Sequence, residues 1–183
     1  MAYQALKHEV ANRGKPPSMF LDALIAWGKA AADEIFAPNQ HSDVYDSVKD
    51  VLGPYRDATH RKAVMLEVMR VLAGFESSWK WTAGRDTTNP TSDKPDTEEA
   101  GAWQVSANSM HFGQDLKDLV QAQLGSLDPD KFRDGMKQNH SLAMEYIARL
   151  LRHTVAANGP VKRHEVDEWL QPEAVKELEL LLV

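Results

Sequence analysis

Between Thr59 and Phe75 the apolar residues recur at helical spacing. Val64, Val68, Val71 and Phe75 share one face, widened by Met65, Met69 and Leu72. A stripe this broad predicts a largely buried helix, with Arg61, Glu67 and Arg70 left on its solvent side. Upstream, Ser18 can cap a helix from Met19 to about Phe36, in which the run Ala30-Ala31-Ala32 suits close packing. After a break at Pro38-Asn39-Gln40-His41-Ser42, a helix is expected from Asp43 to Leu52, ended by Gly53-Pro54. Downstream, helices are expected at Asp115–Leu124, Asn139–Ala156 and Glu165–Leu182, the last interrupted near Pro172. Ser126-Leu-Asp-Pro-Asp130 reads as a turn, and Asn158-Gly159-Pro160 as a helix stop.

Residues 82–97 break the pattern. Gly, Pro, Asn, Asp, Ser and Thr dominate, which predicts an ordered surface loop with room for a short hairpin. No run alternates long enough to predict a sheet, so the fold class is mainly α. Residues 1–58 are expected to pack as a helical extension on a core formed by 59–183, because the breaks between them are short.

Composition narrows the function classes. Of 183 residues 43% are hydrophobic and 26% charged, ordinary for a folded globular chain. Twenty-one Lys and Arg against 27 Asp and Glu give a net charge of −6, and no basic stripe marks a nucleic-acid surface. The acidic balance would weaken steering toward an anionic polymer and suits a neutral or cationic one. There is no cysteine, hence no disulfide framework or thiolate metal site. The histidines show no metal-ligand spacing, and no cofactor is implied. The N-terminal decapeptide has no apolar run of signal-peptide length, and no stretch approaches the roughly 20 apolar residues of a membrane span. A monomer is expected.

The main chemical candidate is Glu76, at the end of the long apolar helix and flanked by Phe75, Trp79 and Trp81. Such surroundings disfavour the carboxylate and raise its pKa. A carboxyl still protonated near neutral pH can act as a general acid. Read by itself, Glu-Ser at a helix end is more often a plain surface terminus.

Twenty-four residues on comes Ala100-Gly101-Ala102-Trp103-Gln104-Val105-Ser106, directly after the polar loop. With Glu76-Ser77 it resembles the lysozyme-like superfamily, in particular soluble lytic transglycosylases and goose-type lysozymes. Two later stretches match in order: Asn139-His-Ser-Leu-Ala-Met-Glu-Tyr-Ile147, and Ala156-Ala157-Asn158-Gly159, where the family's aromatic is replaced by Ala157. The matches span residues 60–170. The resemblance implies a glycosidase cleaving β-1,4 bonds in peptidoglycan, a muramidase or lytic transglycosylase acting on the cell wall. It implies Glu76 as the acid facing a sugar cleft, and Gly101, Trp103, Gln104 and Val105, with Asn158, along the substrate groove. Without a visible signal, the wall would be reached by a non-classical route or on lysis.

A second carboxylate is left open. An inverting hydrolase needs one about 6.5–9.5 Å from the acid, and a retaining one about 5–5.5 Å. A lytic transglycosylase needs none. The candidates are Asp86, Asp93, Asp96, Glu98 and Glu99. Asp86 is favoured because Gly84-Arg85-Asp86 makes a compact turn in which Arg85 can keep it ionised, and Asp96 lies nearer the substrate-binding segment. Trp79, Trp81 and Trp103 can each stack on a sugar or simply pack in the core. Two other readings stay in view: a chitosan- or chitin-degrading glycosidase, which the charge favours, and a glycan-binding module without catalysis.

Overall fold

The computed structural model describes residues 3–39, 43–85, 87–88, 90–153 and 159–183. It is mainly helical, and among the described residues strand pairing is confined to one isolated antiparallel bridge, Ala100 to Val105. The described residues of 82–97, where a short hairpin was expected, carry no strand pairing, and the bridge follows that loop.

The long helix α3 (Ala58–Ser77) runs through the middle of the molecule. Asp57 caps it by accepting the His60 N–H. Around it pack α1 (Ser18–Ala30), α2 (Val44–Leu52), and α8 (Pro172–Leu182). A second group, α4 (Gln114–Leu124), α5 (Pro129–Gln138) and α6 (His140–His153), packs mutually and meets α3 through α6. The short α7 (Gly159–Lys162) contacts α2. Leu6, Val10, Phe20 and Leu24 from the first 58 residues share one buried cluster with Leu72, Tyr146 and Leu178. Among the described residues no helix is long and apolar enough to cross a membrane.

Several boundaries differ from the expectation, each for a local reason. Helix α1 stops at Ala30, because Ala31 turns to extended backbone and a 3-10 turn at Asp33–Phe36 follows. Ala30 and Ala32 are exposed, so the alanine run is not a packing face. The stretch read as a turn at 126–130 runs into α5, which begins at Pro129. Asp128 caps it by accepting from Asp130 and Lys131 N–H groups, and Pro129 takes the first position, where no N–H is needed. Pro172 likewise opens α8, after a 3-10 turn at Asp167–Trp169. Asn139 caps α6 through its side chain to Leu142 N–H. Gly159 and Pro160 begin α7 rather than only stopping what precedes.

The largest correction concerns α3. Glu67 and Arg70 are 0% exposed, and Arg61 is also buried. Arg70 holds Glu67 through two 2.7 Å hydrogen bonds, and its other donors reach the carbonyls of His8 (3.1 Å) and Trp169 (3.3 Å). Gln171 N–H donates to Glu67 at 2.9 Å. Arg61 lies over the Tyr45 ring, donates to the Phe36 carbonyl and pairs with Asp43. The N- and C-terminal segments thus cover the face that the pattern assigned to solvent. A buried charge survives there only because every oxygen and most donors are matched.

Candidate functional site

Glu76 sits on the last turn of α3 and is half-buried. Burial is the main reason its pKa is raised to about 7, and the negative charges of Glu99 and Glu165 add to it, while Arg13 and Arg163 oppose. The carbonyl-rich C-terminal end of the helix works in the same direction, since it disfavours an anion. A carboxyl in this state carries its proton into the neutral range and can release it to a basic oxygen.

The turn that follows is tightly built. Ser78 N–H bonds to the Gly74 carbonyl and Trp79 N–H to the Ala73 carbonyl, both 3.0 Å, which satisfies the last carbonyls of the helix. Ser78 and Trp79 both have left-handed backbone, φ +57° and +59°. The Ser77 hydroxyl lies 2.8 Å from the Ala102 carbonyl and 3.1 Å from that of Ala73, and it accepts the Lys80 N–H. Through Ser77, the end of α3 holds the 100–105 turn directly.

That turn is closed by paired Ala100–Val105 backbone bonds of 2.9 and 3.1 Å. Gly101 has φ +75°, and a Cβ there would stand 2.7 Å from the Met136 carbonyl, so the turn seats against α5 only because the side chain is absent. Gln104 also has left-handed backbone, is half-buried, and donates its side-chain N–H to the Gly101 carbonyl. Val105 is buried.

Trp79 and Trp103, placed with the substrate groove but left open between sugar and core, pack in the core. Trp79 and Trp103 are each 3% exposed and donate their indole N–H into α3, to the carbonyls of Arg70 (2.8 Å) and Met69 (2.9 Å). Neither offers a free face to a ligand. Trp81 is half-buried, with His140 stacked on its ring at 4.0 Å. Asp96 is exposed, and its carbonyl accepts the Asn108 N–H. Asp86 and Asn158 lie outside the described residues.

Of the other acidic loop residues, Asp93 is exposed, and Glu98 lies between Arg133 (3.4 Å) and Arg85 (3.6 Å), so the partner seen for Arg85 is Glu98. Arg133 also reaches the Pro95 carbonyl and Asp130, which ties the 82–99 loop to α5. Among the described residues, Glu99 is the loop acid that bears most on Glu76.

Sequence reasoning missed Arg13, Arg163 and Glu165. They lie far from residue 76 in the chain, and only folding brings them near. The segment carrying Glu165 is docked on the end of α3 by the Phe75–Trp169 ring contact, 5.6 Å between centroids. Arg163 donates to Glu165 at 2.6 Å and holds that carboxyl below its ordinary pKa. Its only sequence signal was the charged run Lys162–Glu165.

Glu76 lines none of five surface recesses among the described residues, of which the roomiest, about 500 Å³, is lined by Gln4, Lys7, His8, Lys15 and Glu173 among others. Comparison with family models, curated proteins and solved structures finds no match.

Proposed function

We propose that the protein is a glycosidase that cleaves β-1,4 bonds in peptidoglycan, as a muramidase or lytic transglycosylase, with Glu76 as the general acid. The observation that carries this reading is the half-buried carboxyl at the end of α3, with a pKa raised to about 7. The resemblance of Glu76-Ser77 and 100–106 to lysozyme-like enzymes supplies the substrate class.

In the proposed reaction the bond between the anomeric carbon and the bridging oxygen breaks, and that oxygen takes the Glu76 proton. The Glu76 carboxylate left behind then accepts a proton from the attacking hydroxyl. In a transglycosylase this is the sugar's own 6-hydroxyl, giving an anhydro end. In a hydrolase it is water. Glu165, kept ionised by Arg163 on the segment docked beside Glu76, is a carboxylate available to assist that water.

A second reading, chitosan or chitin as the polymer, is favoured by the net charge of −6 and by the acidic neighbours Glu99 and Glu165. Mass spectrometry of digests of purified peptidoglycan and of chitosan tests both readings. Anhydro ends mark a transglycosylase and reducing ends a hydrolase. Glu76→Gln should cut the rate about 10²–10⁴-fold, the usual loss with a positioned acid. Glu165→Gln should matter only on the hydrolytic route. No cleavage of either polymer by the parent protein, or an unimpaired Glu76→Gln variant, removes the glycosidase reading.

A further inference from the structure

Immediately after Glu76 the chain does something costly. Two consecutive residues with side chains, Ser78 and Trp79, occupy the left-handed region. Each is strained unless its surroundings enforce it, and such strain concentrates at functional sites. What enforces it is visible. The Trp79 indole folds back over the last turns of α3, donates its N–H to the Arg70 carbonyl at 2.8 Å, and lies across Gly74. A Cβ on Gly74 would meet the indole, with Cε2 only 2.8 Å away. The helix therefore has a notch cut for this one ring.

We propose that Trp79 is a positioning residue for Glu76. Its indole, latched across Gly74, fixes the left-handed Ser78–Trp79 reversal and so sets the placement of the last turn of α3, which carries Glu76. The latch acts through Ser77, which shares the reversal and holds the Ala102 carbonyl. Releasing it lets the last turn of α3 fray and admits water to Glu76. The charged groups bearing on Glu76 are Glu99 from the loop, Glu165 and Arg163 from the segment after α7, and Arg13 from the N-terminal segment. None of them is removed by altering Trp79, so the change isolates hydration and placement.

The inference uses the general-acid reading, but its test does not depend on cleavage. The Glu76 carboxyl is followed by carbon-13 NMR in protein labelled at the glutamate side-chain carboxyl, with Glu76→Gln assigning the signal. Trp79→Phe keeps a ring and loses the N–H donor. Gly74→Ala keeps the indole but displaces it. Trp27→Phe, a buried indole in α1 far along the chain, controls for general loosening of the core.

The Glu76 midpoint should fall by about one unit or more in Trp79→Phe and Gly74→Ala, a tenfold or larger loss of proton affinity. It should stay at the parent value in Trp27→Phe. If a glycan is cleaved, Trp79→Phe should lower kcat with KM nearly unchanged and move the alkaline limb of the pH profile to lower pH. An unchanged midpoint in a folded Trp79→Phe variant, or an equal fall in Trp27→Phe, overturns the proposal. If Gly74→Ala does not fold, Trp79→Phe alone decides. An inactive protein whose midpoint moves as stated keeps Trp79 as the positioning residue while removing the glycosidase.

Discussion

Replacing Glu76 with Gln should change how stability depends on pH, and the structure sets both sign and size. Glutamine mimics the protonated carboxyl and does not titrate. In the unfolded chain Glu76 ionises near its ordinary value of 4.5, whereas in the fold it does so near 7. Below pH 4.5 both states carry the proton, and the raised affinity contributes in full. Between 4.5 and 7 the folded form holds a proton that the unfolded form has released, so stability declines as pH rises. Above 7 the loss is complete. At about 1.4 kcal/mol per unit the upper bound is near 3 kcal/mol. Residual solvent contact at Glu76 brings this to about 2 kcal/mol. Urea unfolding of parent and Glu76→Gln from pH 4 to pH 8 reads this directly. The variant's advantage should grow across pH 5–7 and level off by pH 8. For a chain of this size 2 kcal/mol corresponds to roughly 4–8 °C in Tm. A difference that is flat with pH, or that grows in the parent's favour, refutes the buried, proton-holding state of Glu76.

Arg70→Met should cost about 3–5 kcal/mol in urea unfolding, because it strands the Glu67 carboxylate in a site with no exposure, and pairing it with Glu67→Leu should restore most of the loss; a single-variant cost under about 1 kcal/mol contradicts the burial. Gly101→Ala should destabilise clearly more than Gly125→Ala. Both glycines have positive φ, which costs about 1–2 kcal/mol with a side chain, but only at Gly101 would the Cβ also strike a backbone carbonyl. Equal costs would show that the 100–105 turn is not seated on α5 as described.

What the sequence revealed followed from how each signal works. The stripe from Val64 to Phe75 located α3 because burial on one face repeats at the helical period. It misplaced Glu67 and Arg70 because a charged pair three residues apart looks the same whether water or folded chain covers it. Only the His8 and Trp169 carbonyls and the Gln171 N–H, 62 to 104 residues away, distinguish the two cases. Asp128-Pro129 was read as a turn because the same dipeptide begins turns and helices; the buried Phe132 and Met136 decided for a helix. Glu76 was legible as the end of an apolar helix with aromatic residues close by. Its electrostatic partners were not, since Arg13, Arg163 and Glu165 carry no shared spacing with it. The tryptophans were ambiguous in sequence because an indole satisfies its N–H equally well in a core or beside a ligand.

Arg70 links these observations physically. Its guanidinium closes the terminal segments around α3, and its carbonyl receives the Trp79 indole N–H. The terminal segments in turn carry Arg13, Arg163 and Glu165, which set the charge around Glu76. The chain order places Arg13 at least 150 residues from Arg163 and Glu165, so no short segment could reproduce the environment of the acid. Arg70→Met keeps the main-chain carbonyl that holds the Trp79 indole but removes the guanidinium that closes the terminal segments, and those segments carry groups that act on Glu76. Loss of the guanidinium should therefore reach both properties. In Arg70→Met, the Glu76 midpoint should drop along with stability, whereas changes elsewhere in the core of equal cost in stability should leave it in place.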